Sequence, residues 1–177
     1  VGFFTISQTD FGTDEQRAAK RRYIVRWRLE PKDEAAYARG ELVEPVKPIV
    51  YYIDPATPMK WRPYLKQGVE DWQKAFEAAG FKNAFRVELA PEGLDLMDVR
   101  YNVIQWVHRS TRGWSYGSSV RDPRTGEILK GHVSLGSLRV RQDYLIAQGL
   151  LQPFEDGKPK DPKMLEMALA RLRQLSA

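Results

Sequence analysis

The stretch from Val99 to His108, VRYNVIQWVH, limits the fold more than any other part of the chain. Read as an extended segment, it carries Val99, Tyr101, Val103 and Val107 on one face and Ile104 and Trp106 on the other. Successive residues of a strand point to opposite faces, so a strand that is apolar on both must be covered on both. Such a strand is expected at the centre of a sheet with further layers above and below it.

Other strands group around it. Ile49-Val50-Tyr51-Tyr52-Ile53 is a short apolar run closed by Asp54-Pro55 and reads as a buried strand. Phe85 to Leu89 is another, and Val1 to Ile6 a further one, followed by a loop over Gln8 to Asp14. From Arg21 to Leu29 the pattern alternates, with Tyr23, Val25, Trp27 and Leu29 on one side and Arg22, Arg26, Arg28 and Glu30 on the other. This is a half-buried strand with a solvated basic face. Ser115 to Arg121 and Ile128 to Leu135 flank Asp122-Pro123-Arg124-Thr125-Gly126-Glu127, whose Asp, Pro and Gly are a turn signal, and together they predict a β-hairpin.

The helices are fewer. Trp61, Leu65, Val69, Trp72, Phe76 and Ala79 recur at helical spacing and predict one helix over 61–79, with Pro63 in its first turn. Gly80 is placed to end it in the left-handed conformation, and Phe81 to pack back against it. Lys66, Glu70, Lys74 and Glu77 fall on its opposite face, so Glu70 and Glu77 read as solvated rather than catalytic carboxylates. Residues 31–48 form a connection, with one helical turn over Asp33–Arg39, and 138–148 a short helix. After a loop over 152–160, Asp161-Pro162 starts a helix with Leu165, Leu169, Leu172 and Leu175 as its stripe and no stop signal before Ala177. The fold class expected is α+β: a twisted, mostly mixed sheet with a long backing helix, a hairpin edge and a C-terminal helix, in a single domain over 1–177.

Composition narrows function by exclusion. The 177 residues contain no Cys, which removes thiol catalysis, disulfides and Cys-ligated metals. No apolar run approaches a membrane span. The first residues, Val1-Gly2-Phe3-Phe4, have neither an initiator Met nor a signal-peptide pattern, so the chain is expected to be an excerpt of a longer precursor. The net charge of +5 raises the question of nucleic acid. In the basic strand, however, the aromatics point away from the arginines and form no stacking platform between them. No nucleic-acid partner is expected.

One short motif advertises chemistry. Gly113-Trp114-Ser115-Tyr116-Gly117 matches G-x-S-x-G, which presents a serine nucleophile on a strand-to-helix turn. Here Ser115 is followed by a turn and a second strand rather than a helix. Asp122 and His132 follow in the required order, but in so short a hairpin they are expected to be cross-strand neighbours rather than triad partners. The two histidines, His108 and His132, have no second His three or four residues away, and neither an H-E-x-x-H nor a Gly-rich phosphate loop occurs. Structural or surface roles are expected for both, His132 lying on the polar side of the hairpin with Lys130 and Ser134. By motif alone the chain has no complete catalytic site and no metal site.

Several stretches taken together resemble one family: RRYIVRWRLE (21–30), EPVKPIVYYID (44–54), KWRPYLKQGVEDWQKAFEAAGFKNAF (60–85), DVRYNVIQWV (98–107) and DPRTGEILKGHVS (122–134). They are similar, in order and over nearly the whole chain, to large bacterial zinc-dependent metalloproteases of the metzincin type. The resemblance implies the N-terminal subdomain of a metallopeptidase catalytic domain. Its ARLRQLSA-like stretch (170–177) would lead directly into the zinc helix, whose H-E-x-x-H-x-x-G-x-x-H motif supplies three ligands and the general base. Zinc then belongs to the parent protein, with none bound by this stretch, which would be inert by itself. A peptide or protein substrate, the missing C-terminal subdomain, and self-association through the face left uncovered are the implied partners. A periplasmic or extracellular site is implied for the parent. The resemblance also implies that Ile128 to Leu135 is the edge strand beside the substrate, with Gly131, His132, Val133 and Ser134 as substrate-side residues. The family tends to have an acidic or small residue near 130–132, where this chain has Lys130 and His132. A non-catalytic peptide-binding or scaffolding domain using the same strand is the alternative.

Overall fold

A computed structural model describes residues 2–110 and 113–151 of the chain. The fold is α+β, built on a mixed five-stranded sheet with few helices and a separate two-stranded ribbon. The helix and loop expected over 152–177 lie outside the described residues. The chain divides into two compact units, Val1–Trp106 with Tyr116–Ser134, and Val107–Ser115 with Leu135–Ala177.

In the first unit, β1 (Thr5–Asp10) and β2 (Ala19–Ile24) pair antiparallel, from Thr5 opposite Ile24 to Asp10 opposite Ala19. The loop expected from Gln8 therefore starts later, because Gln8, Thr9 and Asp10 are held in the ladder by Arg21, Lys20 and Ala19. The alternation read from the sequence is present: Tyr23, Val25, Trp27 and Leu29 are half-buried, while Arg22, Arg26, Arg28 and Glu30 are exposed. It persists beyond the ladder, which stops at Ile24. Helix α1 (Glu34–Ala38) is the turn expected in the connection, and the Asp33 carboxylate caps it by accepting from the Ala36 amide at 2.9 Å.

The helix expected over 61–79 is two helices, α2 (Arg62–Glu70) and α3 (Gln73–Ala78). The helical hydrogen-bond pattern tightens at the break, where the Trp72 amide donates to the Val69 carbonyl three residues back. Beyond it the rotation of α3 is set by Gln73, whose side chain accepts from the Phe85 amide at 3.0 Å and donates to the Phe81 carbonyl at 3.2 Å. Trp72, 55% exposed, falls in the break and leaves the apolar stripe. The polar face is as expected, with Lys66 and Glu70 paired at 3.7 Å and Glu70 and Glu77 both exposed. Gly80 takes φ +89°, and Phe81 turns back to join Ala36, Val43 and Ala84 in a core cluster that Leu29 and Phe76 pack against.

Strand β3 (Ile49–Ile53) runs parallel to β4 (Phe85–Leu89) on one side and to β5 (Asn102–Val107) on the other. With β6 (Tyr116–Arg121) and β7 (Ile128–Gly136), the sheet order is β4-β3-β5-β7-β6. The doubly apolar strand is thus at the centre, with Val103 fully buried on one face and Ile104 and Trp106 buried on the other. It starts at Asn102 rather than Val99, which is exposed. The Asp98 carboxylate accepts from the Arg100 amide at 2.9 Å, and this local turn delays the strand. A row of rings, Trp27, Tyr51, Phe85 and Phe76, ties the 25–29 segment, β3, β4 and α3 together, ending in Phe76 and Phe85 stacked at 5.1 Å.

The hairpin forms as expected, β6 antiparallel to β7 with Tyr116 opposite Ser134 and Ser118 opposite His132. Asp122 is not the cross-strand neighbour of His132. It sits in the turn, where its carbonyl accepts from the Gly126 amide at 2.8 Å. Gly126 has φ +79°, and a Cβ on it would lie 2.3 Å from the Ile24 carbonyl oxygen. Only glycine lets the turn rest on the end of β2. Two backbone hydrogen bonds, Arg26 amide to Gly126 carbonyl at 3.2 Å and Ile128 amide to Arg26 carbonyl at 2.9 Å, hold it there.

In the second unit, α4 (Leu138–Leu151) is the helix expected from residue 138, and it runs past 148. The Ser137 amide before it donates to the Val107 carbonyl at 2.9 Å. Among the described residues no helix is long and apolar enough to cross a membrane.

Candidate functional site

Gly131, His132, Val133 and Ser134 all lie on β7, and β7 is not an edge. It has β5 on one side and β6 on the other, so its backbone is committed to the sheet on both. The expectation that Ile128 to Leu135 is an edge strand is corrected: among the described residues the hairpin's other arm, β6, is the outer one. The hairpin was legible from its turn. Which arm lies outside depends on where β5 docks, which is a long-range choice.

Two side chains of β7 are buried. Lys130, expected on a polar face, is 3% exposed, and Ser134 is 1% exposed. The Lys130 ammonium donates to the Leu96 carbonyl at 2.6 Å and to the Asp98 carbonyl at 2.7 Å, which closes the loop between β4 and β5 onto β7. Burial pulls its pKa below the ordinary lysine value, while the Asp98 and Asp95 carboxylates pull the other way. His132 is half-buried, with Nε2 3.2 Å from Gln105 Oε1. Burial first, and then the Lys130 charge, hold it below the ordinary imidazole range. Gly131 has no room for a side chain, since a Cβ there would lie 1.9 Å from the Tyr51 hydroxyl oxygen. Burial also pushes the Tyr51 phenol up.

Asn102 knits three strands together. Its side-chain oxygen accepts from the Gly131 amide at 2.8 Å, and its amide nitrogen donates to the Val50 carbonyl at 2.9 Å. It thereby links β3 and β7 from the first position of β5, satisfying backbone groups that would otherwise be costly to bury. Sequence reasoning passed over Asn102 and the buried role of Lys130. The signal for the first was a polar side chain next to the apolar pair Val103-Ile104 of the central strand.

Asp98, at the rim of this region, forms a two-pronged pair with Arg100, whose Nη2 lies 2.6 Å from Asp98 Oδ2. Hydrogen bonding from Arg100 lowers the Asp98 pKa to about 2. A folded pKa below the unfolded value means that the pairing contributes above the ordinary carboxylate range and is lost as pH falls toward 2. An NMR titration of the Asp98 carboxyl carbon is expected to show a midpoint near 2, and Arg100→Gln to move it back toward the ordinary aspartate range.

The two outer strands of the sheet differ. On β4 the Phe85 amide is taken by Gln73, and α2 and α3 lie against the strand, so this edge is blunted. On β6 every residue except Ser119 is exposed, and among the described residues its only strand neighbour is β7. Alternate amides and carbonyls of an antiparallel edge strand point outward, so β6 offers hydrogen-bonding groups to an extended chain laid beside it.

The remaining candidates are placed as follows. Ser115 accepts from the Gly136 amide at 3.1 Å, and the chain continues into β6 with no helix after the serine. His108 is exposed, with Nδ1 3.0 Å from Ser137 Oγ. Among the described residues no three His, Asp or Glu side chains converge as ligands for a metal ion. A family profile described as a domain of unknown function, DUF5117, matches residues 1–32, which cover β1, β2 and the extended segment after them. No curated protein matches the chain, and no solved structure matches it.

Proposed function

We propose that the chain is the N-terminal half of a metzincin-type zinc metalloendopeptidase domain, and that it holds the substrate as an extended strand along β6. The sequence resemblance supplies the enzyme class. The open β6 edge, set against the blunted β4 edge, is the structural observation that supports substrate binding there. Backbone pairing accepts varied sequences, and alternate side chains of the bound strand meet the face carrying Tyr116, Ser118 and Val120. Behind β6, the buried Lys130 and the half-buried Asn102 hold β7 and the preceding loop in place, which fixes the edge against which the peptide aligns.

In this reading the zinc-binding motif lies after Ala177, and bound zinc would supply an activated water there. In the same reading the part of this chain is to bind and align peptide. The parent is read as a bacterial protein of the periplasm or exterior.

The test uses two proteins, the 177-residue chain and one extended through the residues that follow Ala177 in its gene. The extended protein is expected to cleave an unfolded protein substrate, to lose this activity to a chelator, and to regain it with zinc. The 177-residue chain is expected to cleave nothing, and Ser115→Ala to leave cleavage by the extended protein unchanged. If the continuation lacks H-E-x-x-H and does not cleave, while extended peptides still bind β6, the domain is a peptide-binding scaffold instead.

A further inference from the structure

We infer that one face of the β1–β2 ribbon is a docking surface for an anionic lipid bilayer. On this ribbon Thr5, Ser7 and Thr9 are paired with Ile24, Arg22 and Lys20, so these side chains share a face. The period-two alternation carries the same face on to Arg26. From Lys20 to Arg26 the row spans about 20 Å of extended chain.

Lys20, Arg22 and Arg26 are exposed and make no ion pair among the described residues. The opposite face is compensated, for Arg21 pairs with Asp10 at 2.7 Å. The basic face ends at two carboxylates: Glu127 lies opposite Arg26, and Glu30 pairs with Arg28 at 2.7 Å. The cationic stretch proper is therefore the ribbon itself.

Apolar groups accompany the cations. Ile24 lies in the cationic row and is exposed. Two residues before Thr5 and two after Thr9 stand Phe3 and Phe11, which are 51% and 83% exposed. Large apolar side chains flanking a cationic row fit an interface in which rings enter the headgroup layer while Lys and Arg reach phosphate. Nucleic acid fits less well, because the ring within the ribbon, Tyr23, pairs with Ile6 on the opposite face, and Trp27 beyond it lies edge-on to Tyr51 at 6.3 Å. The ribbon is also held firmly. Gln8 donates to the Pro123 carbonyl at 2.6 Å, and the Arg26 backbone bonds to the hairpin turn on both sides, so the cations stand on a fixed element.

Co-sedimentation with vesicles tests this, using the full 177-residue chain. Vesicles in which about a third of the lipid is phosphatidylglycerol should bind the protein, and pure phosphatidylcholine vesicles should not; binding should vanish in about 0.5 M salt. Lys20→Gln and Arg22→Gln should each weaken binding about fivefold. Phe11→Ser should weaken it as well, and Arg21→Gln, on the compensated face, should leave it within about twofold. All four positions are exposed, and circular dichroism checks that each variant is folded. Failure to bind the anionic vesicles overturns the inference, as does equal binding by the Lys20 and Arg22 variants. Binding to soluble single-stranded DNA or heparin that matches vesicle binding, and that Phe11→Ser does not change, also overturns it in favour of a soluble polyanion. None of these outcomes bears on peptide cleavage.

Discussion

Gly131→Ala is expected to destabilise the protein by about 3 kcal/mol, in denaturant unfolding at constant m-value. The new methyl would lie 1.9 Å from the Tyr51 hydroxyl oxygen and 2.7 Å from Cζ of the same ring. Neither partner can move cheaply. Gly131 is on an interior strand with its amide bonded to Asn102, and Tyr51 is on β3, edge-on to Trp27 and tilted against Phe85. Relief therefore requires β7 to leave β5 or the ring to leave its stack. Two comparisons separate this cause from a general intolerance of alanine. Gly117→Ala on β6, where a Cβ meets nothing within 4 Å, should change stability by less than about 0.5 kcal/mol. In a Tyr51→Leu background, which removes the clashing atoms, Gly131→Ala should cost clearly less than in the native protein. Equal cost in both backgrounds would show that the ring is not the obstacle.

Lys130→Met is expected to cost a comparable amount, again about 3 kcal/mol. Methionine keeps the apolar stem as far as the ε position but lacks the ammonium and donates nothing. The Leu96 and Asp98 carbonyls would each lose a hydrogen bond from a charged donor, and the Asp98 and Asp95 carboxylates would lose the favourable field of a nearby cation, although Asp98 keeps its pair with Arg100. The loss should be local as well as global. Hydrogen exchange of the 91–101 loop should accelerate more than exchange in the Ile49–Ile53 strand, because the lysine ties only the former to the sheet. If Lys130→Met unfolds at the denaturant concentration of the native protein, the buried ammonium adds nothing net.

Much of the scaffold was legible from local patterns. The doubly apolar strand identified the centre of the sheet. The Asp-Pro…Gly turn identified the hairpin, the 33–39 stretch a helical turn, and Gly80 the left-handed stop before Phe81. Each rests on a physical preference that acts within a few residues. The readings that needed correction depend on distant partners. The 61–79 periodicity continued through Asp71 and Trp72, yet Gln73 is bound to Phe81 and Phe85, and this attachment breaks the helix in two. Lys130 looked solvent-facing because alternation places it with His132, but the 91–101 loop folds over that face and buries it.

The placement of the proposed binding edge divides in the same way. From residues alone came the two arms of the hairpin, their register-setting turn and the basic strand with its inward aromatics. From the tertiary structure alone came the order β4-β3-β5-β7-β6, which places Gly131, His132, Val133 and Ser134 on an interior strand and leaves Tyr116–Arg121 at the rim. A hairpin's sequence sets which residues face each other, because the turn and the side-chain period act within it. It does not set which arm joins the rest of the sheet. That depends on Asn102, which reaches from β5 to the Gly131 amide and the Val50 carbonyl, contacts 29 and 52 residues away in the chain.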